Sequence, residues 1–97
     1  MATYIVLSTF TDQGARTIRD TTKRADAVRE MAKKFGVTAK DFYWTMGAVD
    51  VVVILDAPDD ASVTAFSMSV AALGNVRTQT MRAFSADEVG KVLAKLG

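Results

Sequence analysis

Apolar and polar residues along this chain follow two periods, and the switches between them mark the elements. Thr3 to Phe10 is rich in β-branched and aromatic residues, with little polarity on either face, and predicts a strand. Thr11-Asp12-Gln13-Gly14 breaks it, and Thr11 or Asp12 can cap a helix. From Ala15 onward Ile18, Ala25, Val28, Met31, Ala32 and Phe35 fall near the 3.6-residue period, opposite a basic face. The β-branched pair Thr21-Thr22 is a weak point in that helix, and Gly36 ends it. Asp41 to Met46 predicts a second strand, in which Phe42, Trp44 and Met46 alternate with Tyr43 and Thr45. A tight turn at Gly47-Ala48 leads to a third, Val49 to Leu55, so uniformly apolar that both of its faces must be dry. Asp56-Ala57-Pro58-Asp59-Asp60 reads as a stop followed by a helix cap. Val63, Phe66, Val70 and Leu73 mark the buried stripe of a second helix, closed by Gly74-Asn75. Val76 to Phe84 is a mixed fourth strand, and Ser85-Ala86-Asp87-Glu88 opens a last helix with Val89, Val92, Leu93 and Leu96 on one face.

The order βαββαβ plus a C-terminal helix predicts an α+β, ferredoxin-like domain. Right-handed crossovers give an antiparallel sheet ordered 4-1-3-2, with the two most apolar strands in the centre. Helices then cover only one side of the sheet, and the other side of the central strands presents Val, Ile or Leu to water. A contiguous apolar patch of that kind marks an interface, and sheet-to-sheet pairing with a second copy is its simplest cover.

Composition sharpens this reading. The 97 residues fit a single domain, and a chain so short stabilises itself with disulfides, metals or partner subunits. Cysteine and histidine are both absent, which removes a disulfide framework, the usual zinc or haem ligation, and Ser-His or Cys-His catalysis. Partner subunits remain, and a hydrophobic content of 49% points the same way. A formal charge of +1 offers no footprint for nucleic acid, and acids interrupt the local run of Arg16, Arg19, Lys23, Arg24, Arg29, Lys33 and Lys34. No export signal and no apolar run of about 20 residues is present, so a cytoplasmic location without membrane association is expected.

Tyr43-Trp44-Thr45-Met46-Gly47-Ala48-Val49-Asp50 with Val51 to Ile54, and Gly74 to Phe84, resemble the signature of the GYD-domain family. Thr9 to Gly14 and Thr21 to Arg24 match as well, so the likeness spans nearly the whole chain. It implies a ferredoxin-like domain of the dimeric α/β-barrel type and no particular chemistry. One position departs: Val49 stands where the family name implies tyrosine before the aspartate. A weaker resemblance, in Gly47-x-x-Asp50, Ala57-Pro58-Asp59, Gly74-x-Val76 and Thr78-x-Thr80, is to the effector-binding module of leucine-responsive and AsnC-type regulators. That module binds small effectors at a subunit boundary.

The candidate ligand-binding residues are Gly47, Asp50, Arg77, Thr78, Thr80, Arg82, Tyr4, Trp44 and Asp12. Gly47 allows a positive φ, and Asp50 can accept hydrogen bonds from loop amides or from a ligand ammonium. Arg77 and Arg82 differ in parity and so project to opposite faces, where they bind a carboxylate or discourage edge-to-edge aggregation. Tyr4, Tyr43 and Trp44 line a pocket or belong to core and interface. Asp56, Asp59 and Asp60 are explained by the helix start without an ion, and neither metal nor cofactor is expected. These features favour a homo-oligomeric small-molecule-binding or regulatory protein with ligand held near the subunit interface. The alternatives are a cofactor-independent enzyme of the oxygenase or isomerase class, with Tyr4, Asp12 and Arg82 as its candidates, and a purely structural assembly subunit.

Overall fold

The computed structural model describes residues 1–97 and places β1 (Ala2–Phe10) as the spine of a four-stranded antiparallel sheet. β3 (Val51–Ala57) pairs along one side of it and β4 (Val76–Ala83) along the other, while β2 (Thr38–Trp44) adds to the far side of β3. The resulting order, β2-β3-β1-β4, is the one the crossover argument predicts.

Four helices complete the fold: α1 (Asp12–Arg16), α2 (Thr21–Lys33), α3 (Asp60–Ala72) and α4 (Ala86–Ala94). Caps fix three of their starts. The Thr11 hydroxyl accepts from the Gly14 N–H at 3.1 Å, and the Asp59 carboxylate accepts from the Ser62 N–H at 2.8 Å. That second bond is the main reason the Asp59 carboxyl is held below its ordinary value. At α4, Ser85 and Glu88 form a reciprocal capping box.

Several boundaries differ from the sequence-based expectation. The first helix does not run unbroken from Ala15. It begins at Asp12, breaks at Thr17, passes through a 3₁₀ turn at Ile18–Asp20, and resumes at Thr21. The break frees backbone carbonyls, and Arg24 supplies the missing donors by hydrogen bonding to the Thr17 and Gly14 oxygens at 2.7 and 3.1 Å. Ile18 therefore leaves the apolar stripe and is 42% exposed. β2 starts earlier and ends at Trp44, because a register irregularity between Ala39 and Asp41 turns Ala39 and Phe42 to the same face. Met46 lies in the connection and is almost fully exposed. That connection is longer than a two-residue turn and is closed by the Thr45 N–H donating to the Asp50 carbonyl at 2.8 Å. β3 correspondingly runs to Ala57, β4 stops at Ala83, and Leu73 at the end of α3 is exposed.

One side of the sheet packs under α2 and α3. Tyr4, Val6, Val51, Val53, Leu55 and Ala57 contribute from the strands, and Ala32, Val63, Phe66 and Val70 from the helices. Alternate residues of the same strands, Ile5, Leu7, Val52 and Ile54, face the other way and are only half-buried. No helix of the fold is long and apolar enough to cross a membrane.

Candidate functional site: a cavity between helices and sheet

The core is built mainly from small residues, and this decides where space remains. Of its twelve buried members only Tyr4, Leu55 and Phe66 are larger than valine. At one end Tyr4, Leu55 and the Phe35–Phe66 pair, whose ring centroids lie 6.2 Å apart, fill the layer. At the other end valine and alanine are too short to close the gap between helices and strands. A cavity of about 140 Å³ results, lined mostly by apolar side chains that include Val6, Phe10, Val51, Val53, Phe66 and Val70.

Thr21, Arg24, Phe42 and Trp44 line it on the side of the break between α1 and α2. The Trp44 indole N–H donates to the Thr21 hydroxyl at 3.0 Å, joining the end of β2 to the start of α2. Phe42 stacks beside Trp44 with centroids 6.5 Å apart, and the Arg29 guanidinium lies 4.7 Å from the Phe42 ring. Arg24 lines the same side, held by the carbonyls it caps.

The nine candidate residues do not converge on this cavity. Trp44 and Thr78 line it. Thr80 lies next to it in a shallow groove between α3 and β4, where its hydroxyl is 3.3 Å from that of Ser67. Asp50 accepts from the Phe10 N–H at 2.9 Å, tying the residue before β3 to the end of β1. Gly47, at φ +101°, has nothing within 4 Å of where a side chain would begin. Asp12 sits exposed in the first turn of α1.

Parity separates the two arginines as expected. Arg77 pairs with Thr9 on the uncovered face, whereas Arg82 pairs with Tyr4 on the helix side. The Arg82 guanidinium is engaged by Glu88 at 2.9 Å, by the Thr3 and Ala83 carbonyls, and by the Phe84 ring at 4.5 Å. Its hydrogen bond, with that of the Ser85 N–H, holds the Glu88 carboxyl below the ordinary range. Tyr4 donates to Asp60 at 2.5 Å; this bond, with desolvation and the Asp60 charge, raises the phenol above its usual value. Asp56 accepts from the Thr3 hydroxyl and meets Lys40 at 3.5 Å. Tyr4 and Arg82 are thus neighbours, but Asp12 lies beyond the opposite end of β1, about 20 Å along the strand. The three do not meet at one point.

Sequence reasoning missed Ser8, which is 5% exposed and lines the cavity. The signal was present: Tyr4, Val6, Ser8 and Phe10 share one face of β1, and Ser8 is the lone aliphatic hydroxyl among them.

Fold and site together define a ferredoxin-like domain, with an apolar cavity on one side of its sheet and an unroofed apolar surface on the other. The chain belongs to the GYD-domain family, whose model matches residues 4–93. It is 36% identical over 97 residues to the glutamine synthetase and cystathionine beta-lyase binding protein of Thermus thermophilus, covering 99% of each chain. Among solved structures it resembles TTHA0845 from Thermus thermophilus, with TM-score 0.58, 23% identity, and 89% of this chain and 96% of that one covered. MtbAldR shares the fold with TM-score 0.67 and 14% identity over 87% of this chain. The present chain spans about half, 53%, of MtbAldR.

Proposed function

We propose that this single domain is a homo-oligomeric binding protein of regulatory type, whose subunits pair through the uncovered sheet face and whose assembly engages a partner protein. The observation that carries this reading is surface that one chain leaves unused. The accessible area is 6317 Å², against about 5,400 Å² for a compact monomer of this mass. The excess, on the order of 900 Å², is close to the roughly 800 Å² that each partner contributes to a standard interface. Ile5, Leu7, Val52 and Ile54 form the centre of the uncovered face, with Met81 beside them on β4. α4 and the turn after it project Val92, Leu93 and Leu96 into solvent, at 46, 57 and 78% exposure, where a second subunit can receive them.

The name of the Thermus relative supports a protein partner, and enzymes of the two classes in that name are the first to test. A small carboxylate held near the subunit boundary would meet Arg77, the candidate cation on the uncovered face.

Light scattering across a dilution series tests the pairing. The wild type is expected to hold at twice the monomer mass or more at micromolar concentration, and Ile54→Asp to run as a folded monomer. A wild type that stays monomeric at high concentration would sink the proposal. Immobilised protein should retain glutamine synthetase or cystathionine beta-lyase from its own source, and should lose them on Ile54→Asp if the assembled form is what binds.

A further inference from the structure

We infer that the helix–sheet cavity is a binding site for a small, neutral, single-ring molecule bearing one hydroxyl or carbonyl group, of the phenol class, anchored by the hydroxyls of Ser8 and Thr78. Size is the first argument. A cavity near 150 Å³ with an apolar lining accommodates benzene, and this one measures about 140 Å³.

Polarity is the second. Six polar residues line the cavity, and four of them have partners elsewhere. Thr21 accepts from Trp44, Arg24 donates to Thr17 and Gly14, Asn75 accepts from Gln13 at 3.0 Å, and Ser67 meets Thr80. Ser8 and Thr78 remain, and neither hydroxyl enters a side-chain hydrogen bond. No unpaired side-chain polar atom is sealed inside the fold, so the Ser8 oxygen must open onto the cavity. The two residues are direct partners in the β1–β4 register, which puts their Cβ atoms about 5 Å apart on one floor. Two adjacent hydroxyls, each able to donate or accept, can hold one ligand oxygen between them. An unmet polar group in an apolar enclosure is costly, and a ligand oxygen removes that cost.

Charge is the third argument. The lining contains no carboxylate, and its single guanidinium is committed to the Thr17 and Gly14 carbonyls. An anionic or cationic ring would lose its hydration without gaining a counter-charge. Neutral ligands are therefore selected over charged analogues of the same shape.

Calorimetric and NMR titrations with phenol, benzene and benzoate test the site. Phenol should bind saturably, about tenfold more tightly than benzene, consistent with the gain of a hydrogen bond. Benzoate should bind at least tenfold more weakly than phenol. The near-isosteric pair Ser8→Ala with Thr78→Val should abolish the preference for phenol over benzene and keep the fold's NMR pattern. Val70→Phe, which fills the cavity, should remove binding of both. No saturable phenol binding, equal affinity for phenol and benzoate, or an unchanged phenol preference in the Ser8/Thr78 pair would each overturn the inference. The cavity lies on the helix side of the sheet and Ile54 does not line it, so monomeric Ile54→Asp should still bind phenol. Loss of oligomerisation and loss of the cavity ligand are thus separate outcomes.

Discussion

At Gly14 a methyl group would sit 2.0 Å from the Asn75 carbonyl oxygen, and both partners of that clash are backbone-bound. The close approach is held from several sides: Thr11 N–H donates to the Asn75 oxygen at 3.1 Å, the Thr11 hydroxyl to the Gly74 oxygen at 2.6 Å, and the Gln13 amide to the Leu73 oxygen at 3.0 Å. These contacts staple the start of α1 to the α3–β4 connection. Gly14→Ala should destabilise the protein by about 1–3 kcal/mol, the usual range for a forced backbone shift, seen as a lower urea midpoint. An unchanged midpoint would mean the two segments separate freely. Tyr4 gives a second residue-scale expectation. Its phenol is held above the ordinary value of 10.0, chiefly by donation to Asp60, so the fold favours the neutral form. The associated stability is complete below about pH 10 and declines as pH rises through the raised value. Tyr4→Phe should lower stability at neutral pH and flatten its fall above pH 10, as followed by denaturant melts across pH. Such details were only partly legible beforehand. The helix-capping role of Thr11 follows from residue type, but the Gly14–Asn75 contact joins positions sixty-one apart and has no local signature.

At the level of elements, α4 is the clearest case of local sequence dictating structure. The Ser85–Glu88 capping box is readable from four residues, and both of its hydrogen bonds form, at 3.1 and 3.2 Å. Because Glu88 is held below the ordinary carboxylate value of 4.5, its contribution is present above that pH and is lost as pH falls through the depressed value. Hydrogen exchange should accordingly show α4 amides losing protection in acid before the sheet does, and Ser85→Ala should bring the same loss at neutral pH. Gly90, mid-helix with open space around its Cα, offers the converse: Gly90→Ala should strengthen α4 by about 0.5–1 kcal/mol. The helix preceding β2 is less legible. Its periodic stripe from Ala25 to Phe35 agrees with the structure. The break at Thr17 escapes the pattern because a side chain seven residues on, Arg24, satisfies the carbonyls it exposes. Edge strand β2 is displaced for a related reason: a register irregularity resets parity without changing composition, whereas central β1 and β3 read plainly from their apolar runs.

For the molecule as a whole, the sheet order follows from element order and crossover handedness, and the uncovered face from counting helices. The cavity does not follow, because it depends on summed side-chain volumes across six elements rather than on any motif. The molecule is extended as well as open: the radius of gyration is 14.6 Å, where about 12.5 Å is usual for this length, and the shortest dimension is 17 Å. Ile54→Asp should therefore abolish assembly while sparing the core, since Val53 and Leu55 on the same strand point the other way.

The thinness of this slab has a consequence for control. Ser8 looks into the cavity and Leu7, its neighbour on β1, looks outward, so one backbone ribbon is the common wall of two compartments. A ligand that bent or stiffened that ribbon from within would act on the same backbone that the proposed second subunit rests against. If pairing changes how tightly the inner chamber holds the proposed guest, reciprocity requires the guest to change pairing by the same factor.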